Sequence, residues 1–250
     1  MNNDLFIFIP ETCSTNIFLA KMAEDKRLEG SKLEDFTVIY SDYQTAGKGL
    51  SENQWHSNPK ENILTSLYFT PAISPQKQFY FNVFFSLSVK KMLDRYLDVV
   101  KIKWPNDIYI NDKKIAGILI EHTIQGDSLM QSIAGVGINL NQTQFSPSIP
   151  NPTSLKLETG YQYGRISLIK ELAVKAVPYY EKLLNGDYKN LLNDYYRYLY
   201  RFNEYHYYMI KKEKAEARIV GTDEYGHLLL EKKNGVRCHC GYKEVEYLWE

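Results

Sequence analysis

Four short stretches gather the residue types that do chemistry. In mid-chain, Trp104-Pro105-Asn106-Asp107 packs a rigid proline, an amide and a carboxylate into one bend, with Lys114 and Gly117 soon after. A cation and a carboxylate so close suit the binding and polarising of a charged substrate, and a glycine in an otherwise bulky strand suits close approach of a ligand. Upstream, Gly47-Lys48-Gly49 allows several backbone N–H groups to converge on an anion, and Lys48 adds positive charge. The loop lacks the G-x-x-x-x-G-K-[ST] pattern, which disfavours a phosphoryl-transfer NTPase of the P-loop kind. Ser14-Thr15-Asn16 brings hydroxyl and amide groups to the start of a helix, where backbone donors point outward. Gly135 and Gly137 open space on a further strand that ends at Asn139.

The elements that must position these groups follow from periodicity. Leu5 to Ile9 reads as a buried strand stopped by Pro10, and Ser14 as the cap of a helix running to about Leu28 before Gly30. A strand is expected over 36–40, then a polar loop over 41–55, a strand over 62–69 and a core helix over 76–97. Residues 101–110 and 114–121 read as the two arms of one β-hairpin around an Asn111-Asp112-Lys113 turn. A strand over 132–139 and a proline-rich connector over 141–152 come next. Ser167 is expected to cap a helix to about Leu184, with Gly186 separating it from a second helix over 187–200. From about Phe202 the pattern changes to short strands over 207–211, 215–220, 227–231 and 236–239, with Asn234-Gly235 as a two-residue turn. Helices that cluster rather than alternate with strands point to an α+β fold, a mixed sheet with helices on one face followed by a small β-barrel.

The 250 residues suffice for a large core, alone or with a small appendix. Thirty Lys+Arg balance thirty Asp+Glu, so net charge predicts neither a nucleic-acid footprint nor a membrane-surface patch. Three cysteines are too few for a disulfide scaffold and favour a reducing compartment, with the cytoplasm as the expected location. Neither a signal peptide nor a membrane-spanning run is expected. Cys238-His239-Cys240 lacks the second ligand pair of a structural zinc site, and strand alternation explains its spacing. The 21 tyrosines, many between Tyr179 and Tyr208, read as amphipathic rings at a core edge.

Taken in order, Ser14-Thr15-Asn16, Gln44-Thr45-Ala46-Gly47-Lys48-Gly49 through Asn53-Gln54-Trp55, Lys103-Trp104-Pro105-Asn106-Asp107 with Lys114-Ile115-Ala116-Gly117-Ile118-Leu119-Ile120-Glu121, and Gly135-Val136-Gly137-Ile138-Asn139 resemble the signature of the biotin protein ligases. The likeness to this family, the biotin–acetyl-CoA-carboxylase ligases, spans nearly the whole chain. It implies a catalytic domain over 1–201 and an SH3-like domain over 202–250. Because the first motif starts almost at once, it implies the monofunctional type, without an N-terminal DNA-binding domain. The implied activity uses ATP to activate biotin as biotinyl-5′-AMP, then transfers it to a lysine of a biotin carboxyl carrier protein, with Mg²⁺ accompanying the phosphates. No DNA or membrane partner is implied, and a homodimer is compatible with the resemblance.

Carried over to these positions, the resemblance assigns Lys114 to carboxylate and phosphate together, with Lys48 and the Gly47 to Gly49 amides closing over the intermediate. Ser14, Thr15, Asn16 and Gln44 would meet biotin, with Leu50, Gly117 and Gly137 beside its rings and Trp55 or Trp104 as a wall. Asn53, Trp55, Asn106 and Asn139 fall to the adenylate. Asp107 either positions Mg²⁺ or orients the acceptor lysine. No protein-held metal site is expected. A lipoate–protein ligase, a non-catalytic biotin sensor and a transcriptional repressor are the alternative functions. The glycine loop departs from the family pattern, since Leu50 stands at a usually basic position and Glu52 where a glycine is usual.

Overall fold

The computed structural model describes residues 3–50 and 53–249. Its strands and helices, in chain order, are β1 (Phe6–Thr12), α1 (Thr15–Leu28), β2 (Val38–Gln44), β3 (Ile63–Phe69), α2 (Gln78–Leu93), β4 (Val100–Lys103), β5 (Asp107–Ile110), β6 (Lys113–Gln125), β7 (Ser128–Ile138), α3 (Leu155–Thr159), α4 (Arg165–Leu184), α5 (Tyr188–Tyr198), β8 (Tyr205–Ile210), β9 (Glu213–Thr222), β10 (Leu228–Lys232), β11 (Arg237–Cys240) and β12 (Val245–Tyr247). A seven-stranded sheet has the order β1-β2-β3-β7-β6-β5-β4, and a five-stranded sheet the order β11-β10-β9-β8-β12. Only β1 and β2 run parallel in the first sheet, because α1 carries the chain back between them. The fold is the expected α+β type with a mixed sheet, and the second sheet is antiparallel throughout.

Strand alternation sorts the large sheet into two faces, and helices cover both. On one face Ile39, Tyr68 and Ile133 pack with Leu19 and Ala23 of α1. On the other, Val38, Leu67, Phe69, Ala134 and Val136 join the larger core with Phe81, Phe84 and Phe85 of α2 and Leu172 of α4. Helices on a single face are therefore not what the chain builds. The β1–α1–β2 crossover must lie on one side of its own strands, while α2, buried nearly all round, needs the opposite side to be enclosed between sheet, α4 and α5.

The expected hairpin is a three-stranded meander. Residues 101–110 bend at Trp104-Pro105-Asn106, so that Lys103 pairs with Asp107 and the supposed single arm is two strands. Proline cannot donate to a ladder, which is why the strand breaks there. The arm from Lys113 is longer than expected and forms a hairpin with β7, closed at Gly126 in the left-handed region. Other boundaries shift as well. Phe36 has φ +66°, so β2 starts at Val38 and carries Gln44 at its end. The α4 helix starts at Arg165, and Ser167 lies inside its first turn, its Oγ donating to the Gly164 carbonyl at 2.7 Å. Strand β12 was not legible from periodicity.

Tyrosines join the two sheets. Tyr195 is fully buried and its hydroxyl donates to the Pro105 carbonyl at 3.1 Å, while Tyr196 hydrogen-bonds Thr222 at 2.9 Å. Trp104 Nε1 donates to the Gly226 carbonyl at 2.9 Å, and Tyr109 stacks on Trp249. Cys240 faces this interior, where burial pushes its thiol up to about 11.

Candidate active site

Glycines form the floor. In the register of β5, β6 and β7, Asp107 lies opposite Gly117, Gly117 opposite Gly137, and Leu119 opposite Gly135, all on the α1 face. A Cβ on Gly135 would lie 2.2 Å from Asn16 Oδ1 and one on Gly137 2.2 Å from Trp55 Cε2; on Gly117 it would meet the Trp55 ring at 3.0 Å. The indole thus lies directly on Gly137, where it leaves no room for a side chain, and closely on Gly117. Its Nε1 is buried without a hydrogen-bond partner among the described residues. Around this floor opens a cavity lined from the start of α1, the end of β2, the glycine loop and strands β5 to β7.

One end of the cavity is polar and neutral. Ser14 precedes α1 in extended conformation, and its side chain makes no capping bond. Gln44, at the end of β2, accepts the Thr15 backbone N–H at 2.8 Å on its Oε1, which lies 3.0 Å from Thr15 Oγ1. Asn16 is committed to the frame. Its Nδ2 donates to Glu121 Oε2 at 2.7 Å and to the Leu119 carbonyl at 3.3 Å, and its Oδ1 lies 2.6 Å from Ser66 Oγ. Sequence reasoning missed Ser66, whose only signal was a hydroxyl in a strand buried along its whole length.

The other end is charged. Lys114 Nζ lies 2.7 Å from Asp107 Oδ1, both side chains partly open to solvent. Backbone bonds from Lys114 N to the Asn151 carbonyl and from Thr153 N to the Lys114 carbonyl hold the start of β6. The glycine loop closes over this end. Gly49 N donates to the Asn53 carbonyl at 2.7 Å and Trp55 N to the Gly47 carbonyl at 3.0 Å, while Lys48 bridges to Gln54. These bonds fold the loop back, and a Cβ on Gly47 would meet the Trp55 carbonyl at 2.6 Å. Leu50 lines the cavity, whereas Ser51 and Glu52 lie outside the described residues.

Of the sequence-derived candidates, Ser14, Thr15, Asn16, Gln44, Lys48, Gly49, Leu50, Asn53, Trp55, Asp107, Lys114, Gly117 and Gly137 converge on this cavity. Gly47 stands behind its loop. Asn106 turns its amide nitrogen to the Ile118 carbonyl and Asn139 donates to the Thr153 carbonyl at 2.9 Å, so both brace the frame rather than line the space. Trp104 points to the second sheet, leaving Trp55 as the aromatic wall.

Two neighbours were not singled out as site residues from the sequence, although Lys103 opens the Lys103-to-Asp107 motif. Tyr242, in the short turn before β12, reaches the cavity and hydrogen-bonds the Asn53 side chain. Burial first, then nearby Asp107, pushes its phenol above the usual range. Lys103 lies under the rings of Tyr109, Tyr247 and Trp249, its Nζ 4.6 Å from the Tyr247 centroid. Burial, opposed by Asp107 and reinforced by Lys114 and Arg201, lowers its ammonium to about 8.

Residues 9–139 match the family model of the biotin/lipoate A/B protein ligases. The chain belongs to this family. The bifunctional ligase/repressor BirA of Bacillus spizizenii is 28% identical over 216 residues, covering 84% of this chain and 66% of its own length. BirA of Escherichia coli is 30% identical over 139 residues, 55% of this chain and 43% of that protein. The chain thus spans less than two thirds of the length of these relatives. Among solved structures, the biotin protein ligase of Aquifex aeolicus in complex with biotin and ATP superposes with a TM-score of 0.76 at 22% identity, covering 98% of this chain and 99% of the other. The biotin protein ligase of Leishmania major in complex with biotin gives 0.64 at 19% identity, covering 96% and 99%. These likenesses establish a shared fold across both sheets. Among the described residues no helix is long and apolar enough to cross a membrane.

Proposed function

We propose that the chain is a biotin protein ligase that forms biotinyl-5′-AMP from biotin and ATP and transfers the biotinyl group to a lysine of a biotin carboxyl carrier protein, as a biotin–[acetyl-CoA-carboxylase] ligase does. One observation carries this: a single cavity sets Lys114, paired with Asp107, between a glycine-floored slot and a folded glycine loop that brings a second lysine, Lys48. Joining a carboxylic acid to an amine in water requires activation, and adenylation brings two anions together. A fixed cation between them favours the transition state. Lys114 takes that role, and its rotatable ammonium suits a shared position between carboxylate and phosphate. Lys48 holds the phosphates, with Asn53 and Trp55 toward the adenylate, and the loop shields the mixed anhydride from water. Ser14, Thr15 and Gln44 meet the ureido end over Gly117 and Gly137. Asn16 orients that end, and Asn106 and Asn139 serve the nucleotide side by bracing the floor and the 151–153 segment.

Mg²⁺ fits here as an ion carried on the phosphates, because Asp107 is the one carboxylate lining the cavity among the described residues and its Oδ1 is held by Lys114. When bound, the ion neutralises phosphate charge. Asp107 is then placed to orient the incoming lysine amine once Lys114 turns to the substrate. We take 1–201 as the catalytic domain and 202–250 as an SH3-like domain that closes the site through Tyr242. Calorimetric titration with biotin and with lipoate, each with and without ATP, tests the reading. Heat with biotin that tightens with ATP is expected; preference for lipoate would overturn it.

A further inference from the structure

One row of side-chain positions crosses four strands on the cavity face. In register it runs Gly137 on β7, Gly117 on β6, Asp107 on β5 and Lys103 on β4. Directly paired residues of antiparallel strands share a face and stand roughly 4.5–5.5 Å apart at Cβ, so the glycine floor ends at a carboxylate and the position beyond it is an amine. Asp107 gives its Oδ1 to Lys114. Lys103 Nζ meets Tyr109 Oη at 3.3 Å and otherwise faces the rings of Tyr109, Tyr247 and Trp249, at 5.0, 4.6 and 5.5 Å from their centroids. A second cleft opens here, between the Trp104-Pro105 bend and β12, lined by Lys103, Trp104, Asp107, Tyr242, Glu246 and Tyr247. It meets the reactive cavity at Asp107 and Tyr242, which line both. An acceptor lysine must reach the mixed anhydride while the glycine loop stays folded over it, and this cleft is a way in that the loop does not cover. The amine arrives as an ammonium without a lone pair. Lys114 and Lys48, as cations held against anions, cannot take its proton.

We propose that Lys103 is the base that takes the proton of the acceptor lysine, which enters by the second cleft with Asp107 orienting its amine. The proposal rests on the ligase reading above and adds a residue that reading does not use. Burial, opposed by Asp107 and reinforced by Lys114 and Arg201, brings the Lys103 ammonium down to about 8, so a share of it carries a free lone pair at neutral pH. The other titratable and charged groups that face it are Tyr109 on β5, Tyr247 on β12 and, at the cleft, Tyr242, Lys243 and Glu246. The acceptor ammonium gives one proton to the Lys103 lone pair. The lone pair thus freed forms the C–N bond to the biotinyl carbonyl carbon, and the C–O bond to phosphate breaks with its electron pair leaving on AMP. The second amine proton passes from the new amide nitrogen to a phosphate oxygen of the departing AMP. The three rings receive the ammonium formed on Lys103, and it returns its proton to solvent through the cleft.

The test loads the full chain with biotinyl-5′-AMP from biotin, ATP and Mg²⁺ and compares transfer to two nucleophiles. One is a saturating biotin carboxyl carrier domain, whose lysine is an ammonium; the other is hydroxylamine, whose nitrogen is already unprotonated at neutral pH. Lys103→Met and Lys103→Arg are each expected to lower the carrier-to-hydroxylamine rate ratio by roughly 10²-fold, the ordinary contribution of a general base. Arginine keeps a cation against the rings but does not give up its proton, so it separates the base from a merely structural cation. In wild type the carrier rate should rise with pH and level off above about 8; in both variants it should keep climbing toward the range where free lysine itself ionises, about 10.4. A general loss of packing would slow both nucleophiles alike and leave the ratio unmoved. Lys103→Arg carries the test if Lys103→Met fails to fold, and the wild-type profile stands without either. An unmoved ratio in a folded variant, a ratio restored by arginine, or a wild-type profile that does not level off overturns the proposal alone. Wild type that yields no biotinyl hydroxamate overturns the ligase reading beneath it.

Discussion

The two faces of the large sheet are made by the same strands and obey opposite rules. On the α2 face, Leu67, Phe69, Ala134 and Val136 are buried in one core with Phe81, Phe84 and Phe85. On the α1 face, the alternate positions of β6 and β7 are Gly117, Gly135 and Gly137, and the volume they vacate holds the Trp55 indole, the Asn16 amide and the cavity. A strand of period two can carry a packed core and a binding floor at once, because adjacent residues never share a face. Stability and chemistry are thereby separable a few ångströms apart.

Breaking one face should spare the other. Phe84 is fully buried, with ring centroids 4.7 Å from Phe81 and 5.5 Å from Phe69. Phe84→Ala is expected to lower unfolding free energy by about 3–5 kcal/mol in urea titration, while the folded fraction keeps its affinity for biotin. Lys114→Ala is the converse. It should slow pyrophosphate release by roughly 10²–10³-fold, about 2.7–4 kcal/mol, with stability changed little, since its pair with Asp107 is partly solvated. Pyrophosphate release within threefold of wild type would refute that role.

A pH experiment sharpens the comparison on the strand pair itself. His122 sits in β6, its ring edge-on to Phe81 at 5.2 Å and its Nδ1 2.7 Å from Ser132 Oγ, and burial lowers its imidazolium to about 4. The unfolded chain then binds a proton through the interval from about 6.5 down to about 4 that the folded chain refuses. Stability should therefore be full above pH 6.5 and decline as pH falls through that interval, by at most about 3 kcal/mol. His122→Gln should flatten the slope, and an equal slope in the variant would assign it elsewhere.

The smallest expected effect concerns the loop. Leu50 lines the cavity where the family usually has a basic residue, so Leu50→Arg should add a charge-assisted bond to the intermediate and slow its dissociation about tenfold, read by stopped-flow fluorescence. An unchanged or faster rate would mean that Leu50 instead acts by packing over the ligand and excluding water.

The sequence by itself determined the residue types that chemistry demands and the strands that bear them. Lys114, Gly117 and Asp107 were legible because a glycine in a bulky strand and charges beside a proline bend conflict with plain packing. The antiparallel appendix was legible through Asn234-Gly235, whose turn geometry is local. Only the tertiary structure decided which face each helix covers, since alternation labels two faces without naming their partners. It alone decided that Trp104 braces the second sheet while Trp55 walls the cavity, as two tryptophans carry the same local signal. Tyr242 and Ser66 came to the site through contacts far apart in the chain, which no local pattern encodes.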